Sequence, residues 1–195
     1  MSKGELTRQM ILAKAAPIFN QRGYAGCSLQ EILDATGLEK GGLYRHFANK
    51  EELAVESFRY ALTNTVKIRT ENLDHIRGAV ARLRYIVGRF VEVRSAIPGG
   101  CPLMNTAIDA DDGNPVLREM ARKGISDWRA GLCRIVEEGM RSGEIRKTTE
   151  PRRIANTMIA GLEGALMISR LDGDMSALED AQATLEGVFR EIESD

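Results

Sequence analysis

Apolar residues recur at helical spacing almost from the start of the chain. Ile11, Leu12, Ala15, Ile18 and Phe19 fall three or four positions apart, which predicts an amphipathic helix over residues 7–21. Thr7 is the expected N-cap and Gly23 the stop. Pro17 lies inside this segment and has no amide donor, so a kink or local distortion is expected there. Ser28, with Glu31 three residues on, has the capping-box arrangement and opens a short helix over 29–35 that Gly37 ends. A second short helix is expected over 40–47. After a break at Ala48-Asn49 come longer helices over 50–72 and 76–94. Residues 95–115 are the least regular stretch, with Pro98, Pro102, Pro115 and Gly99-Gly100, and one short helix over 103–110. Pro115 leads into a long helix to residue 142. Pro151 opens another over 151–171, and Ser176 is the expected cap of the last, to residue 192. No alternating β-branched run with hairpin turns occurs, so the predicted class is all-α.

The two short helices meet at a glycine in the manner of a helix-turn-helix. Ile32 and Leu33 on the first, and Leu43 and Phe47 on the second, are spaced to close against Ile18 and Phe19. Lys40, Gly41, Gly42, Tyr44, Arg45 and His46 are then left facing outward. Paired glycines at the start of a helix weaken it, which suggests a compensating role. A backbone without side chains lets a partner come close.

The segment from Leu29 through Phe47, with Gly42-Leu43-Tyr44 ahead of Phe47 and then Lys50-Glu51-Glu52-Leu53, resembles the DNA-binding domain of the TetR family of transcriptional regulators. The resemblance covers about residues 6–55. It implies a three-helix DNA-binding domain over 1–50, followed over 51–195 by a helical bundle for ligand binding and dimerisation. Lys40, Gly41, Gly42, Tyr44 and His46 match the family's recognition-helix contacts, and Arg45 stands beside them. Ser28 matches a position that touches phosphate from a helix N-terminus. Lys50 matches a residue that grips the backbone. Lys40, Gly42 and Arg45 are better placed to read bases, whereas Tyr44 and Lys50 position the protein. Glu39 and Gly42 stand where the family often has Ser or Thr, and Glu39 is expected to point away from DNA or to cap its helix. Gln30, Lys3 and Arg8 fit a solvated face or a phosphate contact.

For the body, the resemblance implies a small-molecule effector, apolar or electrophilic, and a homodimer through 151–171 and 176–192. Candidate ligand residues are Phe58, Leu62, Phe90, Cys101, Leu103, Met104, Ala107, Trp128 and Met158. The stripes Ile154, Met158, Leu162, Ala165, Leu166 and Ser169, and Leu178, Ala181, Leu185, Val188, Phe189 and Ile192, would form an intersubunit four-helix bundle. Gly161 and Gly164 would let a partner helix come close. Cys101, in Gly-Gly-Cys-Pro ahead of a short helix, fits either a packed small residue or a reactive sensor thiol. The resulting mechanism is a repressor on a near-palindromic double-stranded operator, released by its effector.

Composition narrows the alternatives. Residues 1–50 carry seven basic and four acidic side chains, although the 195-residue chain has a formal net charge of −1. A mildly basic head on an acidic body suits an anionic partner for the head. The three cysteines, Cys27, Cys101 and Cys133, have no paired spacing, so neither a disulfide framework nor a zinc site is expected. There is no nucleophile motif and no phosphate loop. The two histidines, His46 and His75, make no metal pair, so neither an enzyme nor a cofactor is expected. Asp109, Asp111 and Asp112 read as a solvated turn. No apolar run reaches membrane length and no signal sequence is evident, so the expected compartment is the cytoplasm.

Overall fold

The computed structural model describes residues 2–93 and 95–194. Among these the chain forms nine α-helices, a 3-10 turn at Leu73–His75 and no named strand. In order the helices are α1 (Lys3–Gly26), α2 (Leu29–Thr36), α3 (Lys40–Tyr44), α4 (Lys50–Arg69), α5 (Ala79–Glu92), α6 (Pro102–Asp109), α7 (Pro115–Ser142), α8 (Pro151–Asp172) and α9 (Ser176–Ile192). The all-α class holds, and every helix expected from the pattern is present.

Two compact units divide the chain. The first joins Met1–Val66 to Ser95–Lys123, and the second joins Lys67–Arg94 to Gly124–Asp195.

In the first unit, α1 starts earlier and ends later than its apolar spacing suggests. Ser2, rather than Thr7, caps it: the Ser2 hydroxyl accepts from the Glu5 amide, and the Glu5 carboxylate accepts from the Ser2 amide. Thr7 sits inside the helix and its hydroxyl donates back to the Lys3 carbonyl. The backbone stays helical through Pro17, where a distortion was expected. It breaks instead at Gly23, with φ 72° and ψ 173°. A proline removes one donor but has a helical φ of its own, whereas Gly23 adopts a left-handed φ that disfavours any side chain. Ser28 and Glu31 cap α2 reciprocally, and Gly37 ends it in the left-handed region. The Ser28 hydrogen bonds and the Arg22 guanidinium hold the Glu31 carboxyl below the usual carboxylate range.

In the second unit, α5 starts at Ala79, later than expected, because its cap is not local. The Glu144 carboxylate accepts from the Ala79 and Val80 amides at 2.6 and 3.0 Å. Arg94, at the expected end of this helix, lies outside the described residues. Ser176 is the first residue of α9 rather than its cap, and its amide and hydroxyl bond to Asp174. The core gathers Val80, Leu83, Val87 and Phe90 of α5, Leu132 and Val136 of α7, Met158 and Leu162 of α8, and Leu185 and Phe189 of α9. The stripes expected to face a second subunit are therefore largely internal. Ile154, Met158, Leu162, Ala165, Leu178, Leu185, Phe189 and Ile192 are buried within one chain, because α8 and α9 pack on each other and on α5. The apolar groups left outside are Met167, Ile168, Leu171 and Met175.

Arg84 of α5 joins this unit's termini. It donates to Glu186 of α9 at 2.7–3.0 Å and to Glu193 at 3.0–3.1 Å. These bonds hold the Glu186 carboxyl below its usual range and push the Arg84 guanidinium up. A carboxylate with a depressed folded pKa stabilises the fold above its unfolded value, near 4.3, and that contribution is lost as pH falls through the folded value. Arg84 and Glu186 are each 37% exposed, so screening limits the effect to about 1 kcal/mol. Arg84→Met is therefore expected to lower the urea-unfolding free energy by about that amount at pH 7, and by much less near pH 3. A gap that persists in acid would assign the effect to packing instead.

Candidate nucleic-acid interface

The interface is built from a small core. Helix α3 has five residues and buries one of them, Leu43; Phe47 is buried just beyond its end. Both close on Ile11, Leu12 and Ala15 of α1, Cys27, Ile32 of α2 and Leu53 of α4. Ile18, Phe19 and Leu33, the partners expected from spacing, are only partly buried against this cluster. Arg8 adds a polar clamp. Its guanidinium lies 4.2 Å over the Phe47 ring, donates to the His46 carbonyl, and is 3.5 Å from Glu52. Arg8 thus ties α1 to the residues after α3 and to α4 while its side chain stays 32% exposed, and nothing in local sequence pairs positions 8, 46 and 52. Burial pushes the Cys27 thiol up, partly offset by the Lys50 ammonium, so this cysteine acts as a small apolar side chain.

Four of the six residues expected to face outward are exposed. Lys40, Gly41, Tyr44 and Arg45 are exposed, while Gly42 and His46 are half-buried. Neither glycine of the pair has a left-handed φ. A Cβ added at Gly41 meets nothing within 4 Å, and one at Gly42 touches only Leu38 at an ordinary 3.8 Å. The folded chain itself therefore places no demand for glycine at either position. Glu39 is the N-cap residue of α3 by position, but its side chain makes no cap hydrogen bond. Of its two expected roles, capping is excluded, and the carboxylate stays exposed.

The flanking candidates are more engaged. Ser28 is exposed, yet its hydroxyl accepts from the Glu31 amide and lies 3.0 Å from the Glu31 carboxylate. Gln30 donates to Asp34 at 2.7 Å. Lys50 donates to the Tyr24 carbonyl at 2.6 Å, with its ammonium 4.7 Å over the Tyr24 ring. One of its three donors is therefore used inside the protein.

The candidate ligand residues fall into two sets. Phe90, Trp128 and Met158 share the core of the second unit, where Phe90 and Trp128 stack at 6.0 Å between ring centroids. The Arg69 guanidinium lies 3.9 Å over the Phe90 ring. Phe58, Leu62, Cys101, Leu103, Met104 and Ala107 belong to the first unit. Cys101 is the N-cap residue of α6 and is buried. Among the described residues no group of three or more metal-type ligands forms, and no helix is long and apolar enough to cross a membrane.

Known proteins share this arrangement. Residues 11–56 match the family described as bacterial regulatory proteins, tetR family, and residues 79–185 match the tetracyclin repressor-like C-terminal domain. A TetR transcriptional regulator from Chloroflexus aurantiacus is 39% identical, superposes with a TM-score of 0.94, and is covered over 98% of its chain by 99% of this one. A TetR-family regulator from Cytophaga hutchinsonii is 34% identical, with a TM-score of 0.92 over 100% of this chain and 98% of its own. The HTH-type transcriptional repressor DhaR of a Mycobacterium species is 25% identical over 88% of this chain and 86% of its own length. The match spans both the helix-turn-helix head and the helical body, and the chain belongs to the TetR family of transcriptional regulators.

Proposed function

We propose that this regulator is a homodimeric repressor that sets two α3 helices into successive major grooves of a near-palindromic operator, and that a small apolar or electrophilic effector releases it. Residues 1–50 act as the DNA-binding domain and 51–195 as the ligand-binding and dimerisation domain, in the cytoplasm. The observation that carries the reading is the pair Gly41-Gly42. Two glycines open an exposed helix where the fold does not need them, at a position that lowers helix stability. A partner that must reach the backbone closely accounts for them, and a DNA duplex fits the surrounding Lys40, Tyr44, Arg45 and His46. Lys40, Gly42 and Arg45 read bases, while Ser28, Tyr44 and Lys50 hold the backbone, Lys50 through the donors that Tyr24 leaves unused. Two-fold symmetry then spaces the half-sites about 34–36 Å apart.

The subunits join through α8 and α9, on the faces turned away from the internal core. There Gly161 and Gly164 are open, and Met167, Ile168 and Leu171 are exposed. Small residues beside exposed apolar ones suit the close approach of a second helix pair. The effector's contacts are sought among Phe58, Leu62, Phe90, Cys101, Leu103, Met104, Ala107, Trp128 and Met158. Their apolar character and the thiol of Cys101 support an apolar or electrophilic ligand. Release requires the effector to bind the DNA-incompetent state more tightly, by as much as DNA affinity falls.

Three outcomes test this. Gly41→Ala is expected to leave thermal stability unchanged or raise it by up to about 1 kcal/mol, while weakening operator binding at least about tenfold. Equal affinity in the wild type and Gly41→Ala, measured by fluorescence anisotropy, would remove the argument from the glycine pair. Tyr44→Ala is expected to weaken operator and scrambled duplex alike, since it removes a positioning contact. Gly164→Arg is expected to give a folded monomer by sedimentation, because a Cβ at this position meets nothing within 4 Å inside one chain and the longer side chain would stand in the path of a partner helix. An intact dimer would move the interface elsewhere.

A further inference from the structure

Helix α6 is tied to the end of α1 by a set of hydrogen bonds that core packing alone does not call for. The Asn105 amide donates to the Asn20 carbonyl at 3.0 Å, to the Asn20 side-chain oxygen at 3.1 Å and to the Gly99 carbonyl at 2.8 Å. Asn20 answers by donating to the carbonyls of Pro98 and Gly100 at 2.8 and 3.3 Å. One turn further along α6, the Asp109 carboxylate accepts from the Tyr24 amide at 2.8 Å.

Both junctions require glycine. At Gly23, with its left-handed φ, a Cβ would fall 2.2 Å from an Asp109 oxygen. At Gly99, φ 106°, it would fall 2.7 Å from the Asn20 amide. All these residues lie within the first compact unit.

Two consequences follow from this placement. Asn105 and Asp109 share one face of α6, while Leu103, Met104 and Ala107 occupy other faces of the same eight-residue helix. A shift imposed on one set is carried to the other, because a short helix moves as a body. On the α1 side, Tyr24 stands four residues before Ser28, the cap of α2, and α1 also supplies Ile11, Leu12 and Ala15 to the core that seats α3.

We propose that Asn105, supported by Asp109, is a positioning residue through which α6 sets the placement of the α2–α3 reader. This rests on the reading of the chain as an effector-released DNA-binding regulator. Neither side chain touches DNA. Each favours the arrangement of α1 in which the reader is seated, so losing it lowers DNA affinity without removing a phosphate contact.

The sign at Asp109 separates this role from simple electrostatics. Removing a carboxylate should strengthen binding to a polyanion, whereas loss of the tie to Tyr24 should weaken it.

The test uses the full chain and a duplex that the wild type selects from a random-sequence pool, with affinity read by fluorescence anisotropy at several salt concentrations. Asn105→Ala and Asp109→Ala are each expected to weaken binding about tenfold with an unchanged salt slope, the loss expected when a hydrogen bond present in one state only is removed. Asp109→Asn, which still accepts a hydrogen bond, should recover most of that loss. Asp112→Ala, an exposed neighbour outside the tie, should bind no more weakly than the wild type. Affinities of Asn105→Ala and Asp109→Ala within about twofold of the wild type would overturn the proposal, as would tighter binding by Asp109→Ala, the mark of charge removal alone. If Asn105→Ala does not fold, as judged by circular dichroism, Asp109→Ala decides alone. If the wild type selects no duplex, the regulator reading itself fails and this proposal falls with it.

Discussion

A helix of five residues does not hold its own shape in water, because nucleation fixes several residues before the first hydrogen bonds repay it. Helix α3 is such a helix, weakened further by two glycines in its first turn. Its conformation depends on Leu43 and Phe47 being buried among Ile11, Leu12, Ile32 and Leu53. Truncating a side chain in a core this small removes a large share of the contacts available, and such losses run to about 2–5 kcal/mol. The reader's surface is therefore only as well ordered as the apolar cluster beneath it. The Arg8 clamp over Phe47 adds a polar tie from the same helix that supplies Ile11, Leu12 and Ala15 to that cluster.

Helix α1 answers to two partners. Its earlier turns supply the core beneath α3, and its last turns bond to α6 and the loop before it. The break at Gly23 lies between the two residues that carry the second role, Asn20 and Tyr24. On the backbone as it stands, a side chain at position 23 would run into Asp109. The glycine thus serves a close approach as much as a turn. In the second unit Glu144 plays a comparable part, closing the open amides of α5 from far along the chain.

Much of this was legible from spacing. Apolar period together with Pro, Gly and Ser signals located every helix described, and the Ser28–Glu31 box and Gly37 bounded α2 where the structure has them. The outward set on α3 followed from the same period. What could not be read were partners remote in sequence. No local rule joins Arg8 to Phe47, Glu144 to Ala79, or Asp109 to Tyr24, and Asp109 looked like one acid of a solvated turn. Period also fixes that a face is apolar without fixing what covers it. The α8 stripe of Ile154, Met158 and Leu162 was assigned to a second subunit, although α9 and α5 of the same chain cover it. Pro17 misled for a related reason: its missing donor is visible in the sequence, but its compatibility with helical φ let the helix continue.

The first compact unit is discontinuous, made of Met1–Val66 and Ser95–Lys123. During synthesis the chain emerges from its N-terminus, so the helix-turn-helix leaves the ribosome well before α6, its hydrogen-bonded neighbour. At translation rates of about 5–20 residues per second, several seconds pass before residue 123 is made. Until then Asn20 and the Tyr24 amide face water, and α1 ends without the contacts that shape its break. A nascent chain of this protein acquires its reader early and its finished geometry late. A fragment cut after the helix-turn-helix would stay permanently at that earlier stage.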